Sequence, residues 1–212
     1  MKHRLGVALA VGLCVTVQAI PARATVLTFD DLVGPDFPEY SSVPSGYGGL
    51  DWFGFSKLNG PDNSSFGVGW ANGTVSPSNV AYNDSGIAQV AVISASLFDF
   101  NGAYLTSAAL DGLSIEVNGF REGDSLYDEI RSFDTAAPTF SSFNYLGIDA
   151  LVFTPFFGDI NNPEYCFACF AMDNFTFNEP FSEVPESSTM GLLATGLLGM
   201  MRGVRRRHRQ AA

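Results

Sequence analysis

The sequence predicts an all-β fold, a single β-sandwich, lying between two apolar ends. Three observations predict it. Short stretches of the body alternate apolar and polar residues with period two. Gly, Asn and Asp punctuate the gaps between them. No long amphipathic helical pattern interrupts the series, and many short strands with such turns argue for a sandwich.

Taken in order, residues 26–29, 66–70, 88–94 and 97–100 are the first candidate strands. In the middle, Leu113, Ile115 and Val117 alternate with Ser114, Glu116 and Asn118, and Asn118-Gly119 is expected to turn. Leu126, Asp128 and Ile130 then alternate with Tyr127, Glu129 and Arg131, followed by Phe133. The two runs read as a hairpin with its loop through 121–124. Residues 139–144 and 148–154 follow, and 170–177 closes the domain. Further turns are expected at Asn72-Gly73, Asn101-Gly102 and Asp111-Gly112. With 19 Phe in 212 residues, intrinsic disorder is excluded as the state of the body. No short regular repeat suggests a solenoid.

The two ends differ from the body. Lys2, His3 and Arg4 precede an uncharged apolar run over 5–17, and Ala22-Arg23-Ala24 follows. That order is a secretory signal peptide over 1–24, cut by signal peptidase to leave Thr25 first. Cys14 is no lipoprotein site, because Leu13 stands where a small residue is needed. The other end, 182–212, runs from Val184-Pro185-Glu186-Ser187-Ser188-Thr189 into an apolar stretch over 190–204. It finishes with Arg202, Arg205, Arg206, Arg207 and Arg209 within 202–209. A helix over 190–201 would rise only about 18 Å against a hydrocarbon core of roughly 30 Å. Extended over 187–204 it reaches about 27 Å, with Arg202 snorkelling to the interface. Five arginines directly after an all-round apolar helix suit a membrane stop better than a globular core.

Removing the ends changes the charge balance. Of 11 Lys and Arg only Lys57, Arg121 and Arg131 lie in the body, whereas all 22 acidic residues lie between Asp30 and Glu186. The exported part therefore carries a formal charge of about −19. Such a field repels nucleic acid and anionic membranes and favours divalent cations. The body, 25–181, is long enough for one domain with a real core. It holds no histidine, since His3 and His208 are in the ends, which excludes Ser-His-Asp and Cys-His catalysis within it. A carboxylate pair carries little weight among so many acids, so no enzyme is expected. The sequons at Asn63, Asn72, Asn83 and Asn174 match glycosylation acceptors by composition alone.

Cys166 and Cys169 survive processing. Outside the cytoplasm such a pair is most simply a disulfide, and it requires a turn at Phe167-Ala168 because strand residues three apart cannot bond. Free thiols or a redox pair are the alternatives. A zinc site would need a second ligand pair, which the body lacks.

Val-Pro-Glu-x-Ser-Thr, a short Gly/Leu helix and a terminal Arg cluster resemble the PEP-CTERM sorting signal, a tail also labelled an ice-binding protein C-terminal domain. Here Pro185-Glu186-Ser187 stands where that family has Pro-Glu-Pro. The resemblance implies recognition of Val184, Pro185 and Glu186 by an exosortase. It also implies a single transmembrane sorting helix and a Gram-negative host that makes extracellular polysaccharide. In that picture the chain crosses the inner membrane, is anchored as a precursor, and ends at the cell surface or outside it, associated with exopolysaccharide or biofilm. Ice binding finds no Thr-x-Thr array in the body to support it. The body segments around 45–52, 98–104, 147–151 and 171–177 resemble the jelly-roll bodies carried on such tails, and the closing Asp-Asn-Phe strand resembles that of carbohydrate-binding jelly rolls. In those modules first and last strands lie together and a structural calcium joins them. Asp173 with Asp30 or Asp31 is therefore the expected calcium set. The alternative function is a carbohydrate-binding module, with Tyr47 and Trp70 in Gly-rich segments as the expected stacking rings. Trp52, flanked by Phe53 and Phe55, reads as core.

Overall fold

The computed structural model describes residues 24–34, 41–84, 88–159, 162–164 and 168–179. The expected signal peptide, the expected sorting tail and Cys166 lie outside the described residues. Among those described, no helix is long and apolar enough to cross a membrane.

The body is all-β and antiparallel. In chain order the strands are β1 (Thr25–Leu27), β2 (Ser41–Ser42), β3 (Asp51–Phe53), β4 (Phe55–Asn59) and β5 (Asn79–Asn83). They continue as β6 (Val90–Ser107), β7 (Leu113–Arg121), β8 (Asp124–Phe133), β9 (Thr139–Asp159), β10 (Asn162–Glu164) and β11 (Phe170–Phe177). A 3-10 turn over Pro61–Phe66 and a short helix, α1 (Val68–Asn72), sit between β4 and β5. The hydrogen-bonded order is β2-β4-β5-β11-β6-β9-β7-β8, with β1 on β11, β3 on β6 and β10 on β9.

This one sheet folds back over its own apolar face. β4 and β9 are four strand spacings apart in the order, roughly 19 Å in a flat sheet. Yet the rings of Phe55 on β4 and Phe153 on β9 lie 6.0 Å apart, centroid to centroid. Folding is possible because β6 and β9 are long and pass through both layers. Val90–Ile93 pairs with Phe153–Ala150 of β9, and Phe100–Leu105 pairs with Tyr145–Thr139 of the same strand, with register shifts in between. Asn144 and Gly147 take positive φ at that bend, 54° and 59°. Such irregularities turn a strand out of one layer and into the next. One layer is thus β3, the first part of β6, the last part of β9, β7 and β8. The other is β2, β4, β5, β11 and the remaining parts of β6 and β9.

Between the layers sits a core dominated by phenylalanine. Phe100 is its centre, fully buried, with Phe175 stacked at 4.8 Å, Phe143 at 5.2 Å, Phe153 at 6.1 Å and Tyr145 at 6.2 Å. A smaller cluster of Leu58, Trp70, Val80, Tyr82, Ala108 and Ala171 lies on the outer side of the second layer under α1.

Several sequence expectations are corrected. Residues 66–70 are not a strand: they close the 3-10 turn and open α1. Gly67 and Gly69 let this segment dock on the β6–β7 connection, since a Cβ on either would collide with the Ala108 or Ser107 backbone. Asn118-Gly119 is not a turn but lies inside β7, where a Cβ at Gly119 would meet Tyr145 at 2.9 Å and Tyr127 at 3.1 Å. Those two rings stack over it at 4.5 Å. Asn101-Gly102 likewise lies inside β6, with Gly102 giving room to the Ser141 carbonyl of β9. Residues 88–94 and 97–100 belong to one strand, as do 139–144 and 148–154. Asp111-Gly112 does turn, with Gly112 at φ 80°.

The β7–β8 hairpin closes on Glu122-Gly123, whose φ values of 52° and 87° suit the two-residue turn that matches strand twist. Glutamate is a poor residue for the first of these positions. Glu122→Asn is expected to stabilise the fold by about 0.5–1 kcal/mol. Urea unfolding should show a higher midpoint with an unchanged slope, and an unchanged midpoint would contradict the turn geometry.

Candidate binding surface

The residues expected to bind calcium do other work. Asp173 faces outward from β11 and is fully buried beneath the segment after α1. Its Oδ2 accepts the Val75 and Ser76 N–H groups at 2.7 and 2.8 Å, and its Oδ1 accepts the Ser76 hydroxyl at 2.9 Å and the Asn174 N–H at 2.7 Å. Burial pushes its carboxyl above the usual range, and these hydrogen bonds oppose that. Asp30 grips the same segment further on, accepting the Asn79 N–H at 2.9 Å. Asn79 in turn donates to the Phe29 carbonyl at 3.1 Å. Asp31 accepts the Tyr47 hydroxyl at 2.7 Å. The two strands do run together as expected, Thr25 to Leu27 opposite Phe177 to Phe175. The carboxylates accept these protein donors, and among the described residues no group of three His, Cys, Asp or Glu converges as metal ligands.

The expected stacking rings are also placed differently. Trp70 is a core residue, 7% exposed and edge-on to Tyr82 at 5.3 Å, so it offers no open face to a sugar. Its neighbours Gly67 and Gly69 pull it under the surface rather than onto a loop tip. Tyr47 is half-buried, its ring 5.7 Å from Phe29, and its hydroxyl also accepts the Phe29 N–H at 3.2 Å. Burial first, and the Asp31 carboxylate second, push that hydroxyl far up. Trp52 is core as expected and donates its indole N–H to the Tyr47 carbonyl at 3.0 Å. Cys169 is half-buried against the Trp70 cluster, and its expected partner Cys166 lies outside the described residues.

What remains open is the outer face of the first layer. On β7 the residues Leu113, Ile115, Val117 and Gly119 point into the core, so Ser114, Glu116, Asn118 and Phe120 point out. Register carries that face across five strands. Phe53 of β3, Ala91 of β6, Val152 of β9, Asn118 of β7 and Asp128 of β8 lie in one row. Ile93, Ala150 and Phe120 lie in the next row on one side, and Thr154, Glu116 and Ile130 on the other. Phe53 is 54% exposed, Ile93 40%, Leu126 46% and Ile130 49%. Exposed apolar groups aligned across a sheet and rimmed by polar ones mark an interaction surface.

The face carries carboxylates and no cation, because all three basic residues of the body are engaged elsewhere. Lys57 is buried on β4 and donates to the Gly34 carbonyl at 2.9 Å. Arg121 holds the Gly147 carbonyl at the bend of β9. Arg131 points inward from β8, pairs with Glu129 at 2.7 Å, donates to the Ser142 carbonyl at 2.7 Å and lies 4.3 Å from the Phe143 ring centre. With the Tyr127 hydroxyl, which accepts the Leu146 N–H at 3.1 Å, Arg131 ties the first layer to the open edge of β9 in the second. Single-strand alternation hinted at this face on 126–130, but its partners on β3, β6 and β9 required the register.

No protein-family model matches the chain, and no curated protein matches it. Among solved structures it is similar to the K1 cleaved adhesin domain of Lys-gingipain (Kgp) from Porphyromonas gingivalis W83. That match has 12% identity, covers 73% of this chain and 97% of that one, and has a TM-score of 0.39. The described residues define an acidic, antiparallel β-domain with an open, mixed apolar and acidic sheet face.

Proposed function

We propose that the chain is a non-enzymatic bacterial surface protein of the extracellular polysaccharide layer, exported through its signal peptide and sorted through its tail by an exosortase. The single observation that carries this reading is the order of the last thirty-odd residues: Val184-Pro185-Glu186, an uncharged apolar run, then five arginines. The jelly-roll-like body acts as the binding part, and its contact with polysaccharide runs over the outer face of the first layer. Support comes from the exposure of Phe53 and Ile130 beside Asn118, Thr154 and Asp128, which offers both apolar contact and hydroxyl-binding groups to a sugar chain.

The tail makes a mass prediction. Protein recovered from the cell surface is expected to begin at Thr25 and to lack 202–209. Intact-mass analysis checks both ends. Retention of Arg205 to Arg209 in most molecules would sink the sorting claim, whereas absence of binding across a glycan array would sink the polysaccharide claim. Peptide mapping without reductant is expected to recover Cys166 and Cys169 joined, and recovery of both as alkylated thiols would reject the pairing.

A further inference from the structure

We infer that the outer face of the first layer selects a cationic glycan, an amino-sugar polymer with free amines, through the Glu116–Asp128 pair flanked by Phe53, Ile93, Val152 and Ile130. The inference rests on the polysaccharide reading above and names its substrate class. Glu116 and Asp128 sit on adjacent strands one diagonal step apart, Asn118 being opposite Asp128 and Ile130 opposite Glu116. Burial first, and the Asp128 charge second, push the Glu116 carboxyl up, and a hydrogen bond with the Asn118 side chain opposes them. Two like charges on neighbouring positions of a sheet surface repel each other. No cation of the body stands beside them, because Lys57, Arg121 and Arg131 are committed to carbonyls and to Glu129 away from this face. An ammonium group set between the two carboxylates relieves the repulsion. An anionic polymer would meet it undiminished, and a neutral one would leave it in place. The apolar groups on either side supply the contact area a sugar ring needs, and the face spans four strand spacings, roughly 19 Å, so an extended chain fits it better than a single sugar. A second copy of this chain is disfavoured as the occupant, since it would bring its own Glu116 and Asp128 to the same face.

Calorimetric titration of the exported protein with a glucosamine hexamer, its fully N-acetylated counterpart and an oligogalacturonate tests this. The glucosamine hexamer is expected to bind at least tenfold tighter than the N-acetylated one at low salt. That gap should narrow as ionic strength rises. The Glu116→Gln, Asp128→Asn double variant should lose at least fivefold in glucosamine affinity while melting no lower than wild type. Ile130→Ser should weaken both hexamers, and Asp62→Asn, on the 3-10 turn, should change neither. Equal affinity for the two hexamers, or a double variant that binds as wild type does, would overturn the cationic selection. If other glycans still bound, the polysaccharide reading would survive, and if none did, both would fail. A concentration-dependent dimer abolished by Ile130→Ser would show the face to be a self-interface and would also overturn the inference.

Discussion

Phe100→Ala is expected to lower stability by about 3–5 kcal/mol, a large share of what a domain of this size holds. Phe100 contributes from β6, which belongs to both layers, and its ring touches Phe175 of β11, Phe143 and Tyr145 of the first half of β9, and Phe153 of the second half. Removing the ring leaves a cavity where the two layers meet, and neither can collapse into it without breaking the β6–β9 pairing. The melting temperature should fall by about 10 °C or more. Phe140 makes the control. It sits on the outer side of β9, 46% exposed, against Tyr104 at 5.1 Å, and its replacement by alanine is expected to cost less than about 1 kcal/mol. Comparable losses in the two variants, read by thermal unfolding, would mean that the layers do not share the core described here.

The second large effect concerns Asp173. Asp173→Ala leaves the Val75, Ser76 and Asn174 N–H groups without their buried acceptor, and a loss of about 3 kcal/mol or more is expected. Asp173→Asn should cost about 1–3 kcal/mol, because one amide oxygen still receives Val75 and Ser76 while the amide nitrogen faces the Asn174 N–H. The pH dependence has a definite sign. The folded-state pKa of Asp173 is raised above its ordinary value of 3.8, so the native state holds the proton more tightly than the unfolded chain does. Its own contribution to stability is therefore greatest below that ordinary value and declines as pH rises through the raised one. The wild-type curve minus the Asp173→Asn curve should slope downward across that acidic window. An upward slope would show that the hydrogen bonds outweigh burial. Calcium and magnesium at equal concentration are expected to raise the melting temperature alike, by screening an acidic surface. A calcium-specific rise that disappears in Asp173→Ala would instead support the metal site expected from the sequence.

The sequence by itself determined that the body is β-rich, where its closing strand runs, and which residues of 113–117 and 126–133 share a face. Those properties depend on a period-two pattern that is local to each strand. It also determined that the body holds only Lys57, Arg121 and Arg131 against a large excess of acidic residues, which needs no fold at all. The turns were legible only in part. Asp111-Gly112 turns, while Asn101-Gly102 and Asn118-Gly119 do not, because in those two places glycine serves a neighbour rather than its own backbone. The Ser141 carbonyl and the Tyr127–Tyr145 stack need the space, and both neighbours are remote in sequence. The same distance hid the role of Asp173, since a carboxylate read as a metal ligand looks identical to one that anchors a segment 97 residues away through Ser76. Trp70 was ambiguous for the matching reason: two flanking glycines can loosen a loop or let a helix press onto a sheet, and only contact with Ser107 and Ala108 decides between them. The open face was decided last of all. Phe53, Ile93, Val152 and Ile130 lie on four strands, and which way each points is set by bends in β6 and β9 whose register shifts follow from packing between layers rather than from any one strand's pattern.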